Sequence, residues 1–149
     1  MANLRPGQKP LVLPYYPHML FEDVEVWTRF LQSDRGRILE VWYDVHVGQP
    51  VAVPEGSPEY MKLVALGVTR KRIDVVCRVA EGFWVVEVKP FANALALGQV
   101  INYTTLFKTE YPAAKPVVSV VVCDICDDDL RGDFDARGVL VFETGYRPM

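Results

Sequence analysis

Hydrophobic and polar positions along this chain change their period several times, and each change marks an element. Leu20, Val24, Trp27 and Leu31 recur at helical spacing, which predicts a helix from about Leu20 to Gln32, ended by Ser33-Asp34-Arg35-Gly36. From Arg37 to Val47 the period falls to two. Leu39, Val41, Tyr43, Val45 and Val47 alternate there with Glu40, Trp42, Asp44 and His46, the pattern of a strand with one buried face. Gly48 to Pro58 reads as a loop and Pro58 to Leu66 as a short helix. Two runs rich in β-branched residues follow, Arg72 to Ala80 and Phe83 to Lys89, on either side of Glu81-Gly82, a two-residue hairpin turn. Pro90 stops the second strand. Ala92 to Phe107 then returns to helical spacing through Ala92, Leu95, Ala96, Gln99, Tyr103 and Leu106. Pro116 to Asp124 is almost wholly valine-rich, as a strand covered on both faces would be, and Asp127 to Asp135 and Val139 to Glu143 add a helix and an edge strand.

A strand hairpin followed by a strand, a helix and a strand predicts a layered α/β domain. The 149 residues, half of them hydrophobic, are not divided by any linker or repeat and predict one domain over residues 1–149. Met1 to Pro10, polar and twice interrupted by proline, is expected to be flexible. Leu11 to Tyr16 is too short and interrupted for a signal-peptide core or a membrane span, so the expectation is a soluble, cytoplasmic protein with no membrane partner.

The hairpin is where chemistry enters. Val85, Glu87 and Lys89 share one face of the second strand, and Trp84, Val86 and Val88 the other. With Glu81-Gly82 as the loop, Ala80 faces Phe83, Val76 faces Glu87 and Asp74 faces Lys89, so Asp74, Glu87 and Lys89 converge on one side of the sheet. A one-residue slip would send Asp74 to the wrong face. Two carboxylates this close suit a hard divalent cation such as Mg²⁺ or Mn²⁺, and Lys89 supplies a positive charge where a phosphoryl group would be attacked. The same three residues also fit an ion-pair ladder on a solvated sheet face. Gln99 and Tyr103, four apart, stack on one face of the following helix, and a glutamine amid that apolar stripe needs a polar partner.

Asp74, Glu87-Val88-Lys89 and Gln99-x-x-x-Tyr103 together resemble the PD-(D/E)xK nuclease superfamily, and the Gln-x-x-x-Tyr element resembles its RecB-like branch. The resemblance covers roughly Arg37 to Val122. It implies a restriction-endonuclease-like core, a mixed central β-sheet flanked by helices in αβββαβ order, and Mg²⁺-dependent phosphodiester hydrolysis, with endonuclease action. By the same resemblance Asp74 and Glu87 ligate metal, the Val88 carbonyl adds a ligand, Lys89 assists the nucleophile or the phosphate, and Gln99 and Tyr103 position DNA backbone or brace the site. Ile73 stands where the superfamily's name has proline. Relatives often place an acid on the first helix, for which Glu22, Asp23 and Glu25 are candidates. The branch often has a histidine upstream of its aspartate, and neither His18 nor His46 is a clear equivalent.

A net charge of −3 is opposite to the basic footprint of a nucleic-acid binder. Arg70-Lys71-Arg72 directly before Asp74 is expected to form a local basic patch for DNA, with Arg35 and Arg37 as its extension, and weak basicity points to a homodimer or a subunit of a larger complex. The Cys123-x-x-Cys126 pair has no second pair to complete a zinc site and reads as packing cysteines, and Asp127-Asp128-Asp129 as a helix start. Beside a metal-dependent deoxyribonuclease stand two other readings: an inactive nuclease-fold module binding DNA or a protein, and a nuclease for RNA or branched structures.

Overall fold

The computed structural model describes residues 3–34 and 36–149, with the side chains of residues 66–68 left aside. Arg35, expected to extend the basic patch, and Met1 and Ala2 of the expected flexible segment lie outside the described residues. The elements in chain order are α1 (Phe21–Ser33), β1 (Ile38–Val47), α2 (Glu59–Val68), β2 (Lys71–Val79), β3 (Gly82–Ala92), α3 (Ala94–Glu110), β4 (Val117–Cys126), a 3₁₀ turn (Asp128–Leu130), α4 (Arg131–Ala136) and β5 (Leu140–Glu143). The strands form one five-stranded sheet in the order β1-β2-β3-β4-β5. β2 runs antiparallel to both β1 and β3, and β3, β4 and β5 are mutually parallel. This is an α/β domain with a mixed sheet between helices. Its order is αβββαβ, with α2 inserted after the first strand and α4 and β5 appended.

Alternation decides which side chain goes to which layer. On one side of the sheet, Trp27, Val26 and Phe30 of α1 pack on Val75, Cys77, Trp84, Val86, Val88, Val120 and Val122. On the other, Phe107 of α3 packs with Val76 and Val85. Toward β5, Val100 of α3 meets Val121, Cys123, Phe134 and Val139.

Five expectations need correction. The hairpin turn is Ala80-Glu81, because Val79 pairs with Gly82. Gly82 answers a different demand: its φ is +146°, and a Cβ there would run into the carbonyl oxygen of Pro116. In β1 a bulge between Ile38 and Glu40 turns Ile38 inward and Leu39 out to solvent. Pro90 lies within β3, where pairing with β4 continues through Phe91↔Ile125 and Ala92↔Cys126. The β2 ladder has ended by Val86, so the missing N–H of Pro90 falls where β3 has lost that neighbour. In α1 the buried stripe is Asp23, Val24, Val26, Trp27, Phe30 and Leu31, while Leu20 is the exposed N-cap. In α3, capped by Asn93 Oδ1 accepting from the Ala96 N–H at 3.1 Å, the buried stripe is Ala96, Val100, Thr104 and Phe107, leaving Leu95 exposed.

Residues 5–8 lie along the outer edge of β1. Gln8 bridges to Val41, the Gly7 N–H donates to Glu40 Oε2 at 2.8 Å, and Trp42 Nε1 donates to the Arg5 carbonyl at 2.5 Å. Among the described residues no helix is long and apolar enough to cross a membrane.

Candidate active site

The true hairpin register is shifted by two residues from the expected one, and two is an even number. Val75 pairs with Val86, so one further step sets Asp74 opposite Glu87, with Lys89 diagonal to it. By alternation with Val85, Glu87 and Lys89 turn to the α3 side of the sheet, and Asp74 lies where β2 changes layers, between Ile73 of the α3 layer and Val75 of the α1 layer. Asp74 Oδ2 accepts from the Val88 N–H at 2.9 Å, which anchors the aspartate across the end of the ladder.

Glu87 is only 2% exposed, and its Oε1 is buried with no hydrogen-bond donor among the described residues. Burial, and next the charge of Asp74, push the Glu87 carboxyl well above the usual carboxylate range. Asp74 is also raised by burial, opposed by the Val88 N–H and then by Lys89. The influence is not mutual: Asp74 raises Glu87, whereas a hydrogen bond with Glu87 lowers Asp74, so a proton held by the pair lies between the two carboxyls. The ammonium of Lys89 acts on both, which puts it at the same locus.

Gln99 and Tyr103 reach this locus from α3. Burial first, and then the charges of Glu87 and Asp74, raise the Tyr103 phenol, while the Gln99 side chain beside it works the other way. Tyr103 therefore keeps its proton and is a donor near neutral pH. The Oε1 of Gln99 is a second buried acceptor without a donor. Five residue positions picked from the sequence thus meet: Asp74, Glu87, Lys89, Gln99 and Tyr103.

Of the three first-helix candidates, Asp23 is the one that approaches this locus. Asp23 is 7% exposed, and its carboxyl is pushed up to about 6 by burial and then by Asp74. Glu22 and Glu25 point instead to the outer surface, where they line a shallow cavity with Arg29 and Phe91. The signal was there to read: Asp23, Val26, Trp27 and Phe30 stand at i, i+3, i+4 and i+7, one buried stripe of α1. His18, whose φ is +64°, also bears on Asp74 and lies 3.4 Å from Arg72.

The basic patch is differently employed. Arg70 donates from Nη2 to both oxygens of Glu110, at 2.8 and 2.6 Å, and from Nε to the Gly48 carbonyl, so it ties the start of β2 to the end of α3. Arg72 pairs with Asp44 at 2.8 Å and donates to His46 Nε2 at 3.1 Å. Lys71 is exposed. Arg37 sits at the opposite end of β1, its guanidinium 4.8 Å from the Phe142 ring centre and 5.7 Å from that of Trp84.

Cys123 and Cys126 are buried free thiols, and burial raises both, Cys123 to about 12. That keeps them protonated and inert. Asp127 Oδ1 caps the 3₁₀ turn through the Asp129 N–H at 3.0 Å.

An acid pair with a vacant acceptor on Glu87 and another on Gln99 is the donor chemistry of a hard cation, since both orphaned atoms are oxygens. Among the described residues no three acid, histidine or cysteine side chains converge on one point, so remaining ligands would have to be backbone oxygen, water or substrate.

No family model matches the chain, and no curated protein matches it. Among solved structures it is similar to EndoMS in complex with double-stranded DNA, at 14% identity over 91% of this chain, with a TM-score of 0.47. It is also similar to a crystallised protein of unknown function, at 14% identity over 72% of the chain, with a TM-score of 0.38. The chain spans about half the length of each, 50% in both cases. Likeness at this distance carries no inference about activity.

Proposed function

We propose that this chain is a metal-dependent nuclease of the PD-(D/E)xK kind that hydrolyses DNA phosphodiester bonds as an endonuclease. The observation that carries the reading is the buried pair Asp74 and Glu87, held face to face with an unpartnered Glu87 oxygen and the ammonium of Lys89 alongside. Burying two like charges is expensive for a fold and is sustained where a cation is to be bound.

Asp74 and Glu87 would hold Mg²⁺ or Mn²⁺, with the Val88 carbonyl as a third oxygen. When bound, that ion supplies Lewis-acid polarisation of a phosphoryl oxygen and acidification of water. Lys89 stabilises the negative charge that develops on the attacked phosphate. Tyr103, protonated, donates to a phosphate oxygen, and Gln99 orients through an amide whose oxygen has no other partner. Arg70 and Arg72 brace the β1-β2 end through Glu110 and Asp44, and Lys71 is free to meet flanking DNA phosphates.

The test is incubation of the purified chain with linear, circular and single-stranded DNA, RNA and branched duplexes. Mg²⁺ or Mn²⁺ is compared with EDTA, and wild type with Lys89→Ala. Metal-dependent cutting of DNA that is lost in the variant is expected. Preference for RNA or junctions would change the substrate, and cutting that Lys89→Ala retains would sink the assignment.

A further inference from the structure

Helix α2 shows to solvent what a helix normally buries. Tyr60, Leu63 and Val64, at i, i+3 and i+4, form one stripe and are 67, 61 and 58% exposed. Met61 beside them is 39% exposed. Val51, joined to the helix end by its N–H donating to Thr69 Oγ1 at 2.6 Å, is 65% exposed. Of the side chains described in α2, Ala65 is the buried one. A helix apolar on its outer side as well as its inner side belongs in an interface.

We propose that this stripe is the surface through which two copies of the chain pair, α2 against α2 across a two-fold axis. Charge argues for a second copy. The charged residues of α2 are Glu59 and Lys62, so the stripe is neutral and opposes neither itself nor a twin, although the chain carries −3 overall. A polyanion would find one lysine there, which makes nucleic acid a poor occupant. Area argues the same way: the five apolar side chains present roughly 500 Å² per copy, near the top of what a monomer exposes in one patch. Pairing two copies would remove at most about 1,000 Å² from water, which puts the contact at the lower limit of a specific interface. A two-fold contact sets like against like, and an uncharged aliphatic and aromatic stripe is complementary to itself. With a helix only about 15 Å long, the contact is small and the pairing reversible. The inference stands apart from the nuclease reading, because α2 contributes none of the residues assigned to that site.

Sedimentation equilibrium of the full chain across a range of concentrations tests it. The expected result is a reversible monomer-dimer equilibrium. Leu63→Glu, and separately Val64→Glu, should raise the dissociation constant at least about tenfold, a change worth 1.4 kcal/mol or more, with far-ultraviolet circular dichroism unchanged. Mixing Leu63→Glu with Leu63→Lys should restore the dimer, as residues near a two-fold axis would. A wild type that stays monomeric overturns the proposal, including one that instead binds neutral phospholipid vesicles. So does a dimer that neither variant weakens, or a charge-swapped mixture that stays apart.

Discussion

The two faces of β3 are built from alternate residues of one peptide and do opposite things. Trp84, Val86 and Val88 turn toward α1 into a wholly apolar layer with Val75, Cys77, Val120 and Val122. Val85, Glu87 and Lys89 turn toward α3, where an acid 2% exposed faces a second acid. Burial stabilises on the first face, at about 25 cal/mol per Å² removed from water, and destabilises on the second until a cation arrives. Stability and function are thus separated by the pleat, and substitutions on the two faces should separate them in experiment.

The largest effect belongs to the apolar face. Trp27 is fully buried, stacks on Phe30 with ring centres 5.4 Å apart and donates from Nε1 to the Tyr43 hydroxyl at 3.0 Å. Trp27→Ala should cost about 3–5 kcal/mol in the denaturant midpoint and leave cutting per folded molecule unchanged. Next is Lys89→Ala, expected to slow cleavage by about 10²–10³-fold while calorimetric binding of Mn²⁺ persists and the unfolding midpoint hardly moves. Asp74→Ala should lose cleavage and cation together. If Lys89→Ala destabilised the fold as Trp27→Ala does, the division between faces would fail.

A smaller effect has the opposite sign. Glu87→Gln replaces a buried charge by a neutral group of the same shape, which can donate to Asp74. It should raise the stability of the metal-free protein by about 1–2 kcal/mol and abolish cation binding. A loss of stability instead would mean that the native carboxylate is well solvated, against its burial.

The comparison also explains what the sequence disclosed and what it hid. Alternation over Trp84 to Lys89 is a local property, so the face of each residue was legible, and the turn position was not. Gly82, which reads as a turn glycine, is there because Pro116, just ahead of the distant strand β4, presses on it, a contact no local pattern records. The resulting error was two residues, and parity survived it. In β1, by contrast, one bulged residue exchanged Ile38 and Leu39. Side chains beyond Asp44, whose φ is +55°, change layers: Val41 and Tyr43 pack toward α1, Val45 and Val47 toward α3. At the bulge period-2 reading fails because one residue is inserted; at Asp44 the pairing keeps its register, and the left-handed backbone marks where the side chains exchange layers. Asp23 was not singled out from Glu22 and Glu25 for another reason, since a charged residue at a stripe position looks like the stripe's edge until its burial is known.

The subtlest expected effect is in pH. Asp23 is pushed up to about 6, and Asp74 and Glu87 are raised, in each case first by burial. A carboxyl whose folded pKa exceeds its unfolded value binds its proton more tightly in the native state. It contributes stability that is complete below about 4, the unfolded value, and is lost as pH rises through the folded one. Glu143, held low by Arg131, behaves oppositely, but its contribution is lost only in more acid solution, outside this window. In EDTA the melting temperature should therefore fall between pH 5 and pH 7.5, and Asp23→Asn should flatten the part of the decline near pH 6. Divalent cation should raise the melting temperature at pH 7.5 and have little effect at pH 5, where protons hold the acid pair. Scanning calorimetry at both pH values decides it: a metal-free protein more stable at pH 7.5 would mean that the acids are already ionised and compensated, and the polar face would then be no reservoir of destabilisation for a cation to relieve.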